Sequence, residues 1–361
     1  MSREPYDAVS PDDPPVAAPR QVGVVIYGFG TVGQAILDLC LQRPFIDVRA
    51  VIARSPEKVG RPAGAFVTGA PDNLLISGDA SDTLRAALPD VVLLATQSRV
   101  ADVLPQLRLC AEHGARVIST SEELAFAEAF HPDLATQVRT IARENNVAIL
   151  ATGVNPGFVF DALPLTLASA AWDVDQISVR RVLDASVFGQ EVQRHLGIGY
   201  TEEQFHRAVR AAEIWGHIGF PESAAMLCRK MGKALERVEQ VLDPILARQD
   251  YELRDWRVPA GRSVGVNHRA TGWVDGSPWL AFEVVLHVMP SDMGWAVRDE
   301  ITVAGSQSMS LVLEPGCHAI RTTAARIVNS IPEILLAAPG LYTPVDLPPS
   351  GPWLGQTLPW H

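Results

Sequence analysis

Cysteine is scarce in this chain: four in 361 residues, at Cys40, Cys110, Cys228 and Cys317, with no CxxC or CxxH pair. Such spacing offers no zinc site and no dense disulfide framework, so the thiols are read as reduced and mostly buried, as in a cytoplasmic protein. Positive charge is also short, with 30 Lys and Arg against 41 Asp and Glu, a formal net charge of -11. Nucleic-acid backbones are bound through a basic footprint, so no nucleic-acid partner is expected. Apolar runs are too short and too interrupted to span a bilayer, which argues against a membrane partner. Residues 1–20 carry Pro5, Pro11, Pro14, Pro15 and Pro19 among acidic residues. They lack the apolar stretch of a signal peptide and read as a disordered tail.

What remains is a globular balance, 47% hydrophobic and 20% charged, in a chain long enough for two domains. The first half alternates strand and helix signals. Val22–Tyr27 is a buried strand, and Thr31–Leu41 follows with helical spacing. Further strands are expected at Val48–Ile52, Val91–Ala95, Val117–Ser119 and Val147–Leu150, with helices over Val100–His113, Ser121–Phe130 and Pro132–Glu144. This order predicts an α/β fold with a doubly wound parallel sheet of Rossmann type over 21–155.

The pattern changes after Asn155-Pro156-Gly157, a run of turn dipeptides. Residues 156–345 read as an α+β substrate domain with an open antiparallel sheet, and 346–361 as an extended, proline-rich tail. Within that domain, 188–250 read as largely helical, and long strands are expected between 251 and 313. The last strong helix, Cys317–Ser330, is a candidate to fold back on the first domain.

Gly28-Phe29-Gly30-Thr31-Val32-Gly33 directly follows a strand and opens a helix, the context that makes a GxGxxG motif informative. The first glycine permits the turn, the second lets backbone approach a pyrophosphate, and the third lets helix and strand pack closely. A helix N-terminus meets phosphate with free N–H groups. The cofactor expected is NADP, with NAD the alternative. No acid stands at the end of the second strand, where NAD enzymes commonly hold the ribose 2′-hydroxyl. Arg54 and Ser55 stand there instead and suit a 2′-phosphate. Thr96, Gln97 and Ser98, after the next strand, are candidates to line the nicotinamide ribose.

The fourth strand signal, Val117–Ser119, runs into Thr120-Ser121-Glu122-Glu123. Two carboxylates at a strand's carboxyl end stand where a substrate lies in such sheets. A capping box competes for them: Thr120 with Glu123, or Ser119 with Glu122. If Thr120 is the cap, Glu123 is occupied and Glu122 is free. Both remain candidates, with Glu122 preferred. A carboxylate suits amine chemistry, because an ammonium must lose a proton before hydride leaves its carbon, and a Glu also stabilises an iminium.

Four segments together resemble a known family: Val117–Leu124 (VISTSEEL), Thr152–Leu165 (TGVNPGFVFDALPL), Arg181–Ser186 (RVLDAS) and Gly216–Ser223 (GHIGFPES). They are similar to the 2,4-diaminopentanoate dehydrogenases and the native amine dehydrogenases, within the dihydrodipicolinate-reductase-like group. The resemblance covers about residues 21–345. It implies a homodimeric NADP- or NAD-dependent enzyme for reversible deamination of an amine, or reductive amination of a ketone or aldehyde with ammonia. The family's glutamate maps onto Glu122 or Glu123. Asn155 would border the nicotinamide, and Phe158 would wall the pocket. His217, between two glycines, is a pocket-loop candidate, and Trp215, Phe188 and Tyr200 are candidate apolar walls. Arg181 and Asp184 are expected to form a structural pair. The competing readings are an imine or semialdehyde reductase of the wider group and a non-catalytic NADP-binding sensor.

Overall fold

The computed structural model describes residues 21–214, 216–254 and 256–355. The N-terminal tail, Trp215 and the last six residues of the expected C-terminal tail lie outside them.

The first sheet grows from runs of β-branched and aliphatic residues buried on both faces, as a covered parallel sheet requires. Its elements are β1 (Val22–Tyr27), α1 (Thr31–Leu41), β2 (Ile46–Ile52), β3 (Ile76–Ser77), α2 (Ala80–Ala87), β4 (Val91–Leu94), α3 (Val100–Glu112), β5 (Arg116–Ser119), α4 (Ala127–Phe130), α5 (Pro132–Glu144) and β6 (Ala148–Ala151). Successive residues of β1 feed opposite layers. Val24 and Ile26 pack with Ile36, Leu37 and Cys40 of α1, while Val25 and Tyr27 pack with Val103 and Leu107 of α3.

The second sheet follows a crossing at 152–158. Its elements are α6 (Ala162–Ala168), β7 (Gln176–Asp184), α7 (Gln190–His195), α8 (Glu202–Arg210), α9 (Phe220–Lys230), β8 (Arg237–Leu246), β9 (Tyr251–Glu252), β10 (Arg257–Val258), β11 (Ser263–Val274), β12 (Ser277–His287), β13 (Arg298–Ala304) and β14 (Met309–Leu313). The six main strands run in the order β14-β13-β7-β12-β11-β8, and β9 and β10 form a separate hairpin. The chain then returns through α10 (Ala319–Asn329) and α11 (Ile331–Leu336). Ala324, Ile327 and Val328 of α10 join the core of α1, and β15 (Gly340–Tyr342) pairs in parallel with β6. The completed first sheet is seven-stranded, β15-β6-β5-β4-β1-β2-β3, with every pairing parallel.

The Rossmann-like sheet with a second α+β layer agrees with the sequence, and four details correct it. The second sheet is mixed, because β12 pairs with β7 in parallel. Residues 237–246, expected within a helical stretch, form the edge strand β8. The segment after β5 is a 3-10 turn, Glu123–Phe126, followed by the short α4, rather than one helix. Arg181 does not pair with Asp184. Side chains three apart on a strand face opposite sides, and Arg181 instead meets Asp299 directly across from it on β13. Their Nε and Oδ1 atoms lie 2.7 Å apart, with both side chains fully buried. The Asp184 side chain accepts from the Ser186 backbone N–H at 2.8 Å.

Candidate active site

Two pockets lie beyond the carboxyl ends of strands of the first sheet, one past β1, β2 and β4 and the other past β5. The first, about 280 Å³, is lined by Gly28, Phe29, Gly30, Ala53, Arg54, Ser55, Lys58, Thr96 and Gln97 among others. Its glycine loop divides as the motif requires. A Cβ on Gly28 would strike the Ala95 carbonyl oxygen at 2.1 Å, and one on Gly33 the Gly28 carbonyl oxygen at 1.9 Å. A Cβ on Gly30 would meet nothing within 4 Å, so the backbone there borders open space. Gly30 caps α1 without a side-chain bond, and no acid stands in the first turn. Thr31 and Val32 begin that turn, leaving its N–H groups to an anion. These features fit a dinucleotide phosphate.

At the far end of this pocket Arg54 is exposed and has no salt bridge among the described residues. Lys58, which carried no role in the sequence reading, lines the same wall and donates from Nζ to the Phe29 carbonyl at 2.8 Å. The Ser55 hydroxyl donates to Glu57, and that bond lowers the Glu57 carboxyl below its ordinary range. Thr96 is committed to Gln106 at 2.5 Å, leaving Gln97 the exposed polar side chain of that turn. Ser98 is not in the pocket wall. Its carbonyl accepts from the Ser121 hydroxyl at 2.8 Å and from the Glu123 N–H at 3.1 Å, and its hydroxyl bonds the Glu122 carboxylate. It therefore ties the end of β4 to the carboxylate segment.

The two glutamates have separate roles. Glu123 Oε2 accepts from the Val100 N–H at 3.0 Å, capping α3, and lies 3.5 Å from His131 Nε2. It is occupied, though by a helix 23 residues away in sequence rather than by a box with Thr120. Glu122 caps no helix through its side chain. Burial pushes its carboxyl above the usual carboxylate range, the Ser98 hydroxyl opposes this, and the Glu123 charge adds to it.

A second pocket, about 510 Å³, opens between the domains and is lined by Glu123, His131, His217, Glu222, Gln240 and His268 with apolar neighbours. Glu222, in the first turn of α9, is only 4% exposed, and its Oε2 has no hydrogen-bond partner. Burial, with the charges of Glu123 and Glu122, pushes its carboxyl up to about 7. Glu222 lies inside the GHIGFPES segment, but nothing local distinguishes it; its neighbours come from the other domain. His217 stacks on Phe160 at 5.8 Å and meets Phe220 edge-on at 4.7 Å. Burial, then the nearby His268 and Arg181, lower it to about 3, so it is neutral at neutral pH.

Asn155 stands between the two sheets with a buried, unpartnered Oδ1, outside the wall of the first pocket. Its loop is held from the second domain. Fully buried Asp161 accepts from Gly157 N, Ala162 N and the Ser223 hydroxyl of α9 at 2.8, 2.6 and 2.8 Å. Phe158 lies under the Arg326 guanidinium at 5.6 Å rather than in the wall of either pocket. Phe188 and Tyr200 pack in two small outlying cores. Among the described residues, no cluster of three or more His, Cys, Asp or Glu could hold a metal ion, and no helix is long and apolar enough to cross a membrane.

The chain is similar to known proteins along most of its length. Residues 158–358 match the model of the 2,4-diaminopentanoate dehydrogenase C-terminal domain. A 2,4-diaminopentanoate dehydrogenase of Acetoanaerobium sticklandii is 30% identical over 337 residues, covering 91% of this chain and 94% of the relative. An amine dehydrogenase of Streptomyces virginiae is 25% identical over 354 residues, covering 91% and 96%. The solved amine dehydrogenase of Mycobacterium smegmatis shares the fold, with a TM-score of 0.80 at 24% identity over 92% of this chain and 97% of that one. With more than half its length matched by the family model and a relative at 30% identity along almost all of it, this chain belongs to the 2,4-diaminopentanoate dehydrogenase family.

Proposed function

We propose that this protein is an NADP-dependent amine dehydrogenase that interconverts an amine with its ketone or aldehyde and ammonia, using Glu122 as the proton shuttle. The observation that carries this reading is the division of labour between the two glutamates. Glu123 is spent on capping α3, whereas Glu122 is half-buried, held by Ser98 and free of any cap. The names of the curated relatives support an amine as substrate.

The nicotinamide, when bound, supplies the hydride acceptor in deamination and the donor in amination. The α1 N-terminus and Gly30 would hold its pyrophosphate. Arg54 and Lys58, two cations in one pocket wall, would meet a 2′-phosphate, and Arg54 is free to do so. Burial disfavours a lone charge on Glu122 but favours its pairing with a substrate ammonium. The carboxylate can therefore take the ammonium's proton and then stabilise the positive iminium. In amination the same group gives a proton to the carbinolamine hydroxyl, which leaves as water as its C–O bond breaks.

The test is NADPH consumption with short ketones, aldehydes, cyclohexanone and 2-amino-4-oxopentanoate, each with and without ammonia. Ammonia-dependent turnover of at least one is expected. Turnover without ammonia on cyclic imines alone would place the chain with the imine reductases, and none at all would refute the reading.

A further inference from the structure

The cavity of about 510 Å³ between the domains has acidic and neutral polar groups in its wall and no Lys or Arg. Glu123 enters from the first domain, and Glu222 and His217 enter from the second. His131 faces Glu123 at 3.5 Å. Val209, Ile214 and Leu242 give the cavity an apolar side. Its volume falls in the range of small-molecule pockets, roughly 300–1,000 Å³.

Two polar atoms of this wall are orphans. Glu222 is 4% exposed and has no partner for Oε2, and His217 has none for Nε2. Native interiors leave few such atoms, and each one points to a missing partner. Water could satisfy either atom but would leave two carboxylates without a counter-charge. The wall that carries them is preformed. The His217 ring stacks on Phe160 and meets Phe220 edge-on, and its N–H donates to His268 Nδ1 at 2.9 Å. A Cβ on Gly216 would strike His268 Nδ1 at 2.3 Å, so the glycine lets this loop lie on that ring.

A metal ion does not fit. Among the described residues no three His, Cys, Asp or Glu stand close enough to hold one. The acceptors border an apolar side instead, which suits a cation that brings its own N–H groups and hydrocarbon. We propose that this cavity binds an organic ammonium group on a short apolar chain, held by Glu222 through a charge-assisted hydrogen bond. One N–H of the ligand would occupy Glu222 Oε2 and another His217 Nε2, with Val209, Ile214 and Leu242 against the chain. A carboxylate on the same carbon would meet Glu123 and Glu222 with no Lys or Arg to hold it, so an α-amino acid is disfavoured. Two sources share the ammonium chemistry: the second amino group of a diamine substrate, and a separate amine. The first rests on the amine dehydrogenase reading; the binding itself does not.

Calorimetric titration of the full chain saturated with NADPH, which leaves an amine unreacted, tests the site. The probes are pentylamine, pentanol and norleucine, which is pentylamine with a carboxylate on the amino carbon. Pentylamine should bind at least about tenfold tighter than either of the others. Glu222→Gln, nearly the same in shape, should weaken pentylamine about tenfold or more and leave pentanol within about twofold. Leu242→Lys brings a cation to the cavity from the edge strand β8 and should weaken pentylamine likewise, with the melting temperature showing that the fold is intact. No pentylamine binding to the wild type, equal affinity for pentylamine and pentanol, or a pentylamine titration unchanged in both variants would overturn the proposal. Turnover with NADP then separates the sources. A diamine substrate predicts kcat/KM for cadaverine about tenfold or more above pentylamine, a preference lost in Glu222→Gln, whereas a separate amine leaves the two alike. If no amine is oxidised, the amine dehydrogenase reading fails, and the titration alone still decides whether the cavity holds an ammonium.

Discussion

Replacing Asp299 by alanine should be among the most destabilising single changes in the second domain. Asp299 is fully buried on β13, accepts from Arg181 Nε at 2.7 Å and accepts from Cys317 N at 2.7 Å through its other oxygen. Arg181 is also fully buried; its Nη2 donates to the Cys317 carbonyl at 2.6 Å, and its Nη1 has no partner. The alanine variant would leave a dry guanidinium with one remaining bond and strand the Cys317 N–H. Removing one partner of a buried pair costs about 3–5 kcal/mol, and an unsatisfied N–H about 1 kcal/mol or more. A loss of about 4 kcal/mol is a large share of the roughly 5–15 kcal/mol that holds a domain together. Urea unfolding, followed by tryptophan fluorescence with activity as a second probe, reads it. The double variant Arg181→Met with Asp299→Leu removes both charges and should recover all but about 2 kcal/mol. A single variant within about 1 kcal/mol of wild type would refute the claim that this pair is desolvated and interdependent.

Other expectations concern the cofactor pocket and the C-terminal segment. Arg54→Ala should weaken NADPH binding about 10- to 100-fold, the worth of a charge-assisted phosphate contact, and change NADH binding by less than about threefold; equal losses by fluorescence titration would remove Arg54 from the 2′-phosphate. Gly30→Ala should leave the melting temperature unchanged and weaken either cofactor about tenfold or more, since its methyl would enter open space at the pyrophosphate. Gly33→Ala should lower the melting temperature itself, because its methyl would overlap the Gly28 carbonyl. Asp346 fastens the C-terminal segment to Arg229 and Lys230 of α9 at 2.7 and 3.1 Å. Burial raises its carboxyl, but bonds from Thr343 and Lys230 and the charge of Arg229 bring it down to about 2. A carboxyl depressed in the folded state stabilises above its unfolded value near 4 and loses that contribution as pH falls toward about 2. Asp346→Asn should accordingly cost about 2 kcal/mol at pH 7 and progressively less below pH 4 in denaturant titrations.

The dinucleotide half of the fold was legible because its signals are local. β1, the glycine loop and α1 are contiguous, and strands buried on both faces read as unbroken apolar runs. Misreadings arose where partners are remote. Val238, Val241, Leu242 and Ile245 have helical spacing, yet pairing with β11 makes that segment a strand. β3 is two residues long and β15 three, too short to announce themselves, and β15 joins the sheet only after a complete excursion through the second domain.

The site divides in the same way. The carboxylate pair was visible from its place after β5, and the preference for Glu122 rested on a local capping box. The structure does occupy Glu123, but with the N-terminus of α3. Glu222 carried no such signal, since its burial and its acidic neighbours exist only once α9 packs on the first domain.

The most direct measurement of the central claim is a comparison of Glu122→Gln with Glu123→Gln in ammonia-dependent NADPH oxidation. Glu122→Gln should keep NADPH affinity within about twofold and lose on the order of 100-fold or more in kcat, the usual worth of a general acid–base group. Glu123→Gln should lose mainly stability, through the α3 cap. Wild-type turnover in Glu122→Gln, or a collapse of kcat confined to Glu123→Gln, would contradict the account.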